Sequence, residues 1–216
     1  MNENNTELYP KIFTWLFIGL LISFASGYAL SLNQMVMANI LVIGALPILI
    51  IELVIAYQLS KHLATMKATT MKVLYFVYCA LTGITLSSIF VLYEMSSILS
   101  IFFVTAVIFG VLALYGYTTK QDLSKLGTIL TVALLVSLIA SIINVFFIHS
   151  TIFNTGLTIL IALIFVGFVA YDMNKVKQLL LYAGEDNAAV YGAFTLYLDF
   201  INLFIRLLEL FGKRND

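Results

Sequence analysis

Seven long apolar runs divided by short polar breaks organise this chain: residues 12–31, 35–59, 73–93, 98–117, 126–148, 151–176 and 188–211. A helix needs ~20 apolar residues to cross ~30 Å of hydrocarbon, and each run meets that length. The runs are continuous rather than alternating, which excludes the in-out strands of a membrane barrel. The clearest breaks are Leu32-Asn33-Gln34, residues 61–72, Thr118-Thr119-Lys120-Gln121-Asp122 and Gly184-Glu185-Asp186-Asn187. Only His149-Ser150 separates the fifth and sixth runs, which predicts a tight hairpin. The first run exceeds the apolar core of a cleavable leader and six more follow it, so it reads as a retained span.

Composition sharpens this picture. Of 216 residues, 62% are hydrophobic and 10% charged, against ~45–50% and ~25% in a soluble domain. The expectation is an all-α integral membrane protein, with residues 1–216 forming a single transmembrane domain of seven helices in a lipid bilayer. Acidic and basic residues number 11 each, so a nucleic-acid partner has no electrostatic basis. Cys79 is the sole cysteine and forms no internal disulfide. His62 and His149 lie in links, with no cysteine or second histidine near them in sequence, which makes a zinc site unexpected. Lys11, Lys61, Lys67, Lys72, Lys120, Lys125, Lys175 and Lys177 all fall on one side of the seven-span topology. That bias predicts a cytoplasmic N-terminus and an outside C-terminus. Lys213 and Arg214 in the tail keep a re-entrant last segment as the alternative. The absence of a basic cytoplasmic tail favours a bacterial plasma membrane.

Ionisable residues inside spans are expensive and are functional candidates by default. Here they are Glu52 in span two, Asp172 in span six, and Asp199, Arg206 and Glu209 in span seven. Asp172 and Asp199 lie equally far, within one residue, to either side of Glu185. In an antiparallel hairpin turning there, equal offset means equal depth, so the two carboxylates are expected to face each other toward the cytoplasmic half. Gly192, Thr195, Asp199, Asn202, Arg206 and Glu209 follow at alternating steps of three and four, which keeps them on one helical face. A polar stripe of this kind cannot face lipid, so span seven is expected near the centre of the bundle. Arg206 and Glu209 read as an i, i+3 ion pair near the outer surface. Glu52 follows Pro47 by five residues. Proline removes a ladder hydrogen bond, which predicts a kink in span two and puts Glu52 near the depth of the aspartates. Tyr75, Tyr78, Thr82 and Thr85 form a one-sided polar row in span three that reads as helix packing.

At this point the residues resemble a known family. Leu196-Tyr197-Leu198-Asp199-Phe200-Ile201-Asn202-Leu203-Phe204, with Leu207-Leu208 and Phe211-Gly212, resembles the signature end of the Bax inhibitor-1 family. Tyr171-Asp172 with Lys175, Gly83-Ile84-Thr85-Leu86, and Trp15 with Gly19-Leu20-Leu21 resemble its sixth, third and first spans. The resemblance covers essentially the whole chain. It implies a seven-helix fold with the last helix central, and a calcium leak gated by protonation of an aspartate pair. Asp172 and Asp199 correspond to that pair, and Glu52 to the family's second-span glutamate. It also implies a basic latch on the pair from the cytoplasmic end of span two, where this chain offers Lys61 and His62 and no arginine.

Three functions compete. A calcium-permeable leak would use Asp172, Asp199, Glu52 and Asn202, with water completing the ~6–8 oxygens calcium prefers, as a transient site. Calcium is then cargo and protons the regulator, with no tightly bound cofactor. An aspartyl intramembrane protease would also pair Tyr171-Asp172 with a seventh-span aspartate. It would need Gly-x-Gly-Asp, where this chain has Leu196-Tyr197-Leu198-Asp199, and a later Pro-Ala-Leu, where the only prolines are Pro10 and Pro47. No enzymatic activity is therefore expected. The third reading is a membrane interaction protein that regulates a membrane protease or a stress or cell-death pathway.

Overall fold

A computed structural model describes residues 4–179, 181 and 183–215. The chain is an all-α integral membrane protein. Seven helices are long and apolar enough to cross a membrane: Leu8–Ser31, Gln34–Lys61, Ala68–Leu92, Met95–Thr118, Ser124–Ile148, Thr151–Val176 and Glu185–Phe211, here spans one to seven. Their order and number follow the apolar runs, while their ends reach further into the polar links. Span seven begins at Glu185 because acidic residues suit the positive end of a helix dipole.

Local chemistry explains the breaks. The Asn33 side chain accepts from the Val36 N–H and caps span two. That span stays a single helix through Pro47. Span three passes through a tight turn at Leu86–Ser88 and ends at Leu92. Before span five, Asp122 accepts from the Ser124 N–H and hydroxyl, which holds its carboxyl below the usual range. The two-residue hairpin is built by widening the end of span five into a π-turn at Asn144–Ile148. His149 then takes a left-handed φ of 54°. The Asn144 side chain closes the turn by accepting from the Ser150 N–H and donating to its carbonyl.

The chain divides into two compact units interleaved in sequence. The first holds the described residues of Met1–Glu94, Val176–Tyr197 and Arg214–Asp216; the second holds Met95–Lys175 and Leu198–Lys213. Span seven therefore gives its first half to one unit and its second half to the other. It is also the most enclosed span: 67% of its most apolar stretch is buried, against 39% or less in every other.

In the first unit, spans one and three pack closely. A Cβ on Gly83 would lie 2.3 Å from the Ser23 carbonyl oxygen, so only glycine permits that approach. Lys11 pairs with Glu185, and Lys72 with Asp186 at 3.0 Å. The Asn187 amide donates to the Leu63 and Met66 carbonyls. The start of span seven is thus held against the start of span one, the start of span three and the link between spans two and three. In the second unit, Leu203 packs with Ile161, Ala162 and Phe165, and Phe200 meets the rings of Phe102 and Phe109. The side chain of Lys177, counted in the lysine bias, lies outside the described residues.

Candidate functional site

Among the described residues, Glu52 in the first unit and Asp199 in the second are buried carboxylates. In the second unit, Asp172 and Asp199 come within hydrogen-bonding reach of each other. Asp199 is 4% exposed and Asp172 is half-buried. Oδ2 of Asp199 is buried and meets no donor. Ionised carboxylates have only acceptor oxygens, so a hydrogen bond between two of them requires that one carry a proton. Two ionised carboxylates this close would also repel.

Several contacts fix Asp172. Span six lies so close to span five that a Cβ on Gly127 would fall 2.3 Å from the Tyr171 ring. Asn174 donates to the Gly116 carbonyl of span four at 3.3 Å, and the Lys175 ammonium donates to the Ser124 hydroxyl at 2.6 Å. Asp199 is fixed by the phenylalanines around Phe200 and by the core around Leu203. Along the same stripe, Asn202 donates back to the Leu198 carbonyl, and Arg206 pairs with Glu209 at 2.7 Å. Gly192 and Thr195 of the stripe belong to the first unit. There Gly192 lies against Ile12 and Val176, and Thr195 donates to the Gly192 carbonyl.

Glu52 sits in the first unit in different company. Its Oε1 accepts from the Thr82 hydroxyl at 2.7 Å, and both residues are buried. The Tyr78 and Tyr197 hydroxyls also face Thr82. Tyr197 reaches Ser23, with 2.6 Å between the oxygens. Ser23 lies near the Cys79 and Gly19 carbonyls, which only accept, so its single proton goes to one of them. Tyr197 must then be the donor to Ser23. Tyr75 donates to the Trp15 carbonyl at 3.0 Å. The polar row of span three is therefore more than packing: Thr82 is the partner of Glu52. Ser23 is a site residue that the charged-residue reading passes over. Its signal was the run of small residues Gly19, Ser23, Ser26 and Gly27 on one face of span one, a pattern that brings helices close.

Among the described residues, no three His, Cys, Asp or Glu side chains gather as a group able to hold a metal ion. Asp172 and Asp199 belong to the second unit and Glu52 to the first. Of the candidate latch residues, Lys61 donates to the Tyr57 hydroxyl of its own helix at 2.7 Å, and the backbone N–H of His62 bonds the Gln58 carbonyl.

Seven spanning helices with a pair of carboxyls buried between the last two define a polytopic helical membrane protein with an intramembrane acid pair. A family model described as inhibitor of apoptosis-promoting Bax1 matches residues 6–216. The inner membrane protein YbhL of Escherichia coli strain K12 is 37% identical over 219 residues, covering 94% of this chain and 90% of that one. A protein of Borreliella burgdorferi is 38% identical over 217 residues, covering 97% and 93%. Protein RP147 of Rickettsia prowazekii is 37% identical over 167 residues, covering 75% and 70%. The chain belongs to the Bax inhibitor-1 family.

Proposed function

We propose that this protein is a calcium-permeable leak of a bacterial plasma membrane, controlled by protonation of the Asp172–Asp199 pair. The observation that carries the reading is the approach of the two carboxyls, one of them 4% exposed, with no other donor at Oδ2 of Asp199. Sharing one proton, the pair carries one negative charge at neutral pH. Acidification removes that charge and opens the path. Calcium is the cargo. A site of two carboxylates binds it weakly, as conduction requires, since a tight site would trap the ion. Glu52 and Asn202 are further oxygen donors for the transported ion. The lysine bias supports a cytoplasmic N-terminus and an outside C-terminus. YbhL is an inner membrane protein, which supports the plasma membrane. The chemistry proposed is transport, with no catalytic step.

The test is calcium flux into liposomes holding the purified protein, read between about pH 6 and 8. Wild type should show flux that rises as pH falls. Asp199→Asn should leave flux nearly independent of pH. A protein that passes no calcium at any pH is not a leak, and the regulatory-partner reading then takes its place.

A further inference from the structure

A short polar relay joins the link after span four to the end of span six, all within the second unit. Asp122 in that link accepts from the Ser124 N–H at 2.9 Å and from the Ser124 hydroxyl. The same hydroxyl oxygen receives the Lys175 ammonium at 2.6 Å. An ammonium only donates, so the serine proton goes to Asp122 and a serine lone pair to Lys175. The three groups therefore stand in one order: cation, hydroxyl, carboxylate. Asp122 is exposed, and its carboxyl is held below the usual range first by the two Ser124 bonds, with Lys175 and Lys125 adding to them.

The same two helices meet again one turn further along. Gly127 follows Ser124 by three residues and lies against the Tyr171 ring, whose centre is 5.9 Å from the Lys175 ammonium. Ser124 and Gly127 share one face of span five, as Tyr171 and Lys175 share one face of span six. That double contact fixes the seat of the ammonium. Asp172 precedes Lys175 by three residues, and residues three apart on a helix are neighbours, with Cβ atoms ~5–6 Å apart. Lys175 thus stands between two acidic groups, Asp122 through Ser124 and Asp172 one turn back. The neighbouring lysines, Lys120 and Lys125, are exposed, where water and salt screen their charge; Lys175 is half-buried and is screened less.

We propose that Lys175, seated by Ser124 and Asp122, is a fixed positive charge beside the ion ligand Asp172 that discriminates against divalent cations and keeps the calcium leak slow. This rests on the leak reading and names a residue that sets its selectivity. Coulomb energy scales with the charge of the ion, so an ammonium one turn from Asp172 costs calcium twice what it costs a monovalent cation at the same point. Asp122 works against that barrier from the far side of Ser124, and its effect is smaller because an exposed charge is screened.

The test compares the flux of calcium with that of thallium, a monovalent probe, into liposomes holding each purified variant at one fixed acid pH. Lys175→Gln should raise calcium flux about tenfold and thallium flux about threefold, the square-root relation that a single fixed charge imposes. Lys175→Arg keeps the charge and should stay within about twofold of wild type for both ions. Asp122→Asn keeps an acceptor for Ser124 but removes the opposing charge, so calcium flux should fall about threefold and thallium flux by less than about twofold. A packing role at this seat would change both ions alike and would not reverse its sign at Asp122. Equal changes for the two ions in Lys175→Gln, or no change in either, overturn the proposal. Asp122→Asn alters one exposed side chain and decides the matter if Lys175→Gln does not fold: calcium flux that is unchanged or raised sinks the proposal. A wild type that passes calcium while these variants match it leaves the leak reading standing and removes only the role of Lys175. A wild type that passes no cation removes both.

Discussion

The two buried acidic sites solve the same problem in opposite ways. Glu52 is partnered by a hydroxyl group: Thr82 donates to it, with Tyr78 and Tyr197 near that threonine. Hydroxyls both donate and accept, so they serve either protonation state by rotating. Asp172 and Asp199 have each other, and the helix that carries Asp199 packs through Phe200 and Leu203 against phenylalanine rings and aliphatic side chains. Two carboxyls cannot adapt in that way, and their bond exists only while a proton is shared. In the proposed leak, the site of Glu52 and Thr82 tolerates a change of charge, and the aspartate site responds to one.

That contrast is breakable. The largest effect is expected at the pair: Asp172→Asn and Asp199→Asn should each abolish most of the pH dependence of calcium flux between about pH 6 and 8. Each variant stays folded, since an asparagine amide donates to the remaining carboxylate without needing a proton. Two variants that keep the wild-type profile would remove the pair from control. Glu52→Gln should lower flux by about fivefold, the scale of one hydrogen bond, and keep the pH profile. If it flattened the profile as the aspartate variants do, the distinction between the two sites would collapse.

Smaller effects concern stability. Gly127→Ala drives a methyl into the Tyr171 ring, next to Asp172, and should cost about 1–3 kcal/mol in thermal unfolding in detergent. Gly110→Ala has open space around it and should be neutral or stabilising by up to about 1 kcal/mol, so equal losses at both positions would refute tight packing at the pair. Thr82→Val keeps the shape but removes the donor to Glu52, at about 1–3 kcal/mol; Thr82→Ser should retain most of the stability. The smallest change is expected for Lys72→Gln. Its partner Asp186 is half-exposed, and the loss should stay below about 1 kcal/mol and shrink further in high salt.

The spans were legible because the bilayer imposes a length on apolar runs, and the links between them are polar enough to show. That Asp172 and Asp199 lie near one another was legible for a similar reason: an antiparallel hairpin converts sequence offset into depth. Depth alone could not decide which helix face Glu52 uses. Depth points Glu52 toward other carboxylates, but its partner is Thr82, whose periodicity is that of a packing face. Ser23 escaped because a serine in an apolar run carries no charge to mark it. The engagement of Lys61 with Tyr57, one turn away on its own helix, illustrates the same limit: a long, exposed side chain takes the nearest acceptor.

Span seven, shared between two interleaved units, has a consequence for how the protein is made. Residues 176–197 complete one unit and residues 198–213 the other. A ribosome adds ~5–20 residues per second, and domains generally fold as they emerge. Here six spans enter the membrane before either unit has all its parts. Glu52 and Thr82 can meet early, but Ser23 waits for Tyr197, and Asp172 waits for Asp199. During that interval a carboxyl sits unpaired in or near the bilayer, where it is costly. Biogenesis is then most exposed to quality control just before the last span arrives, and a stalled or truncated chain lacking that span would leave both units unfinished at once.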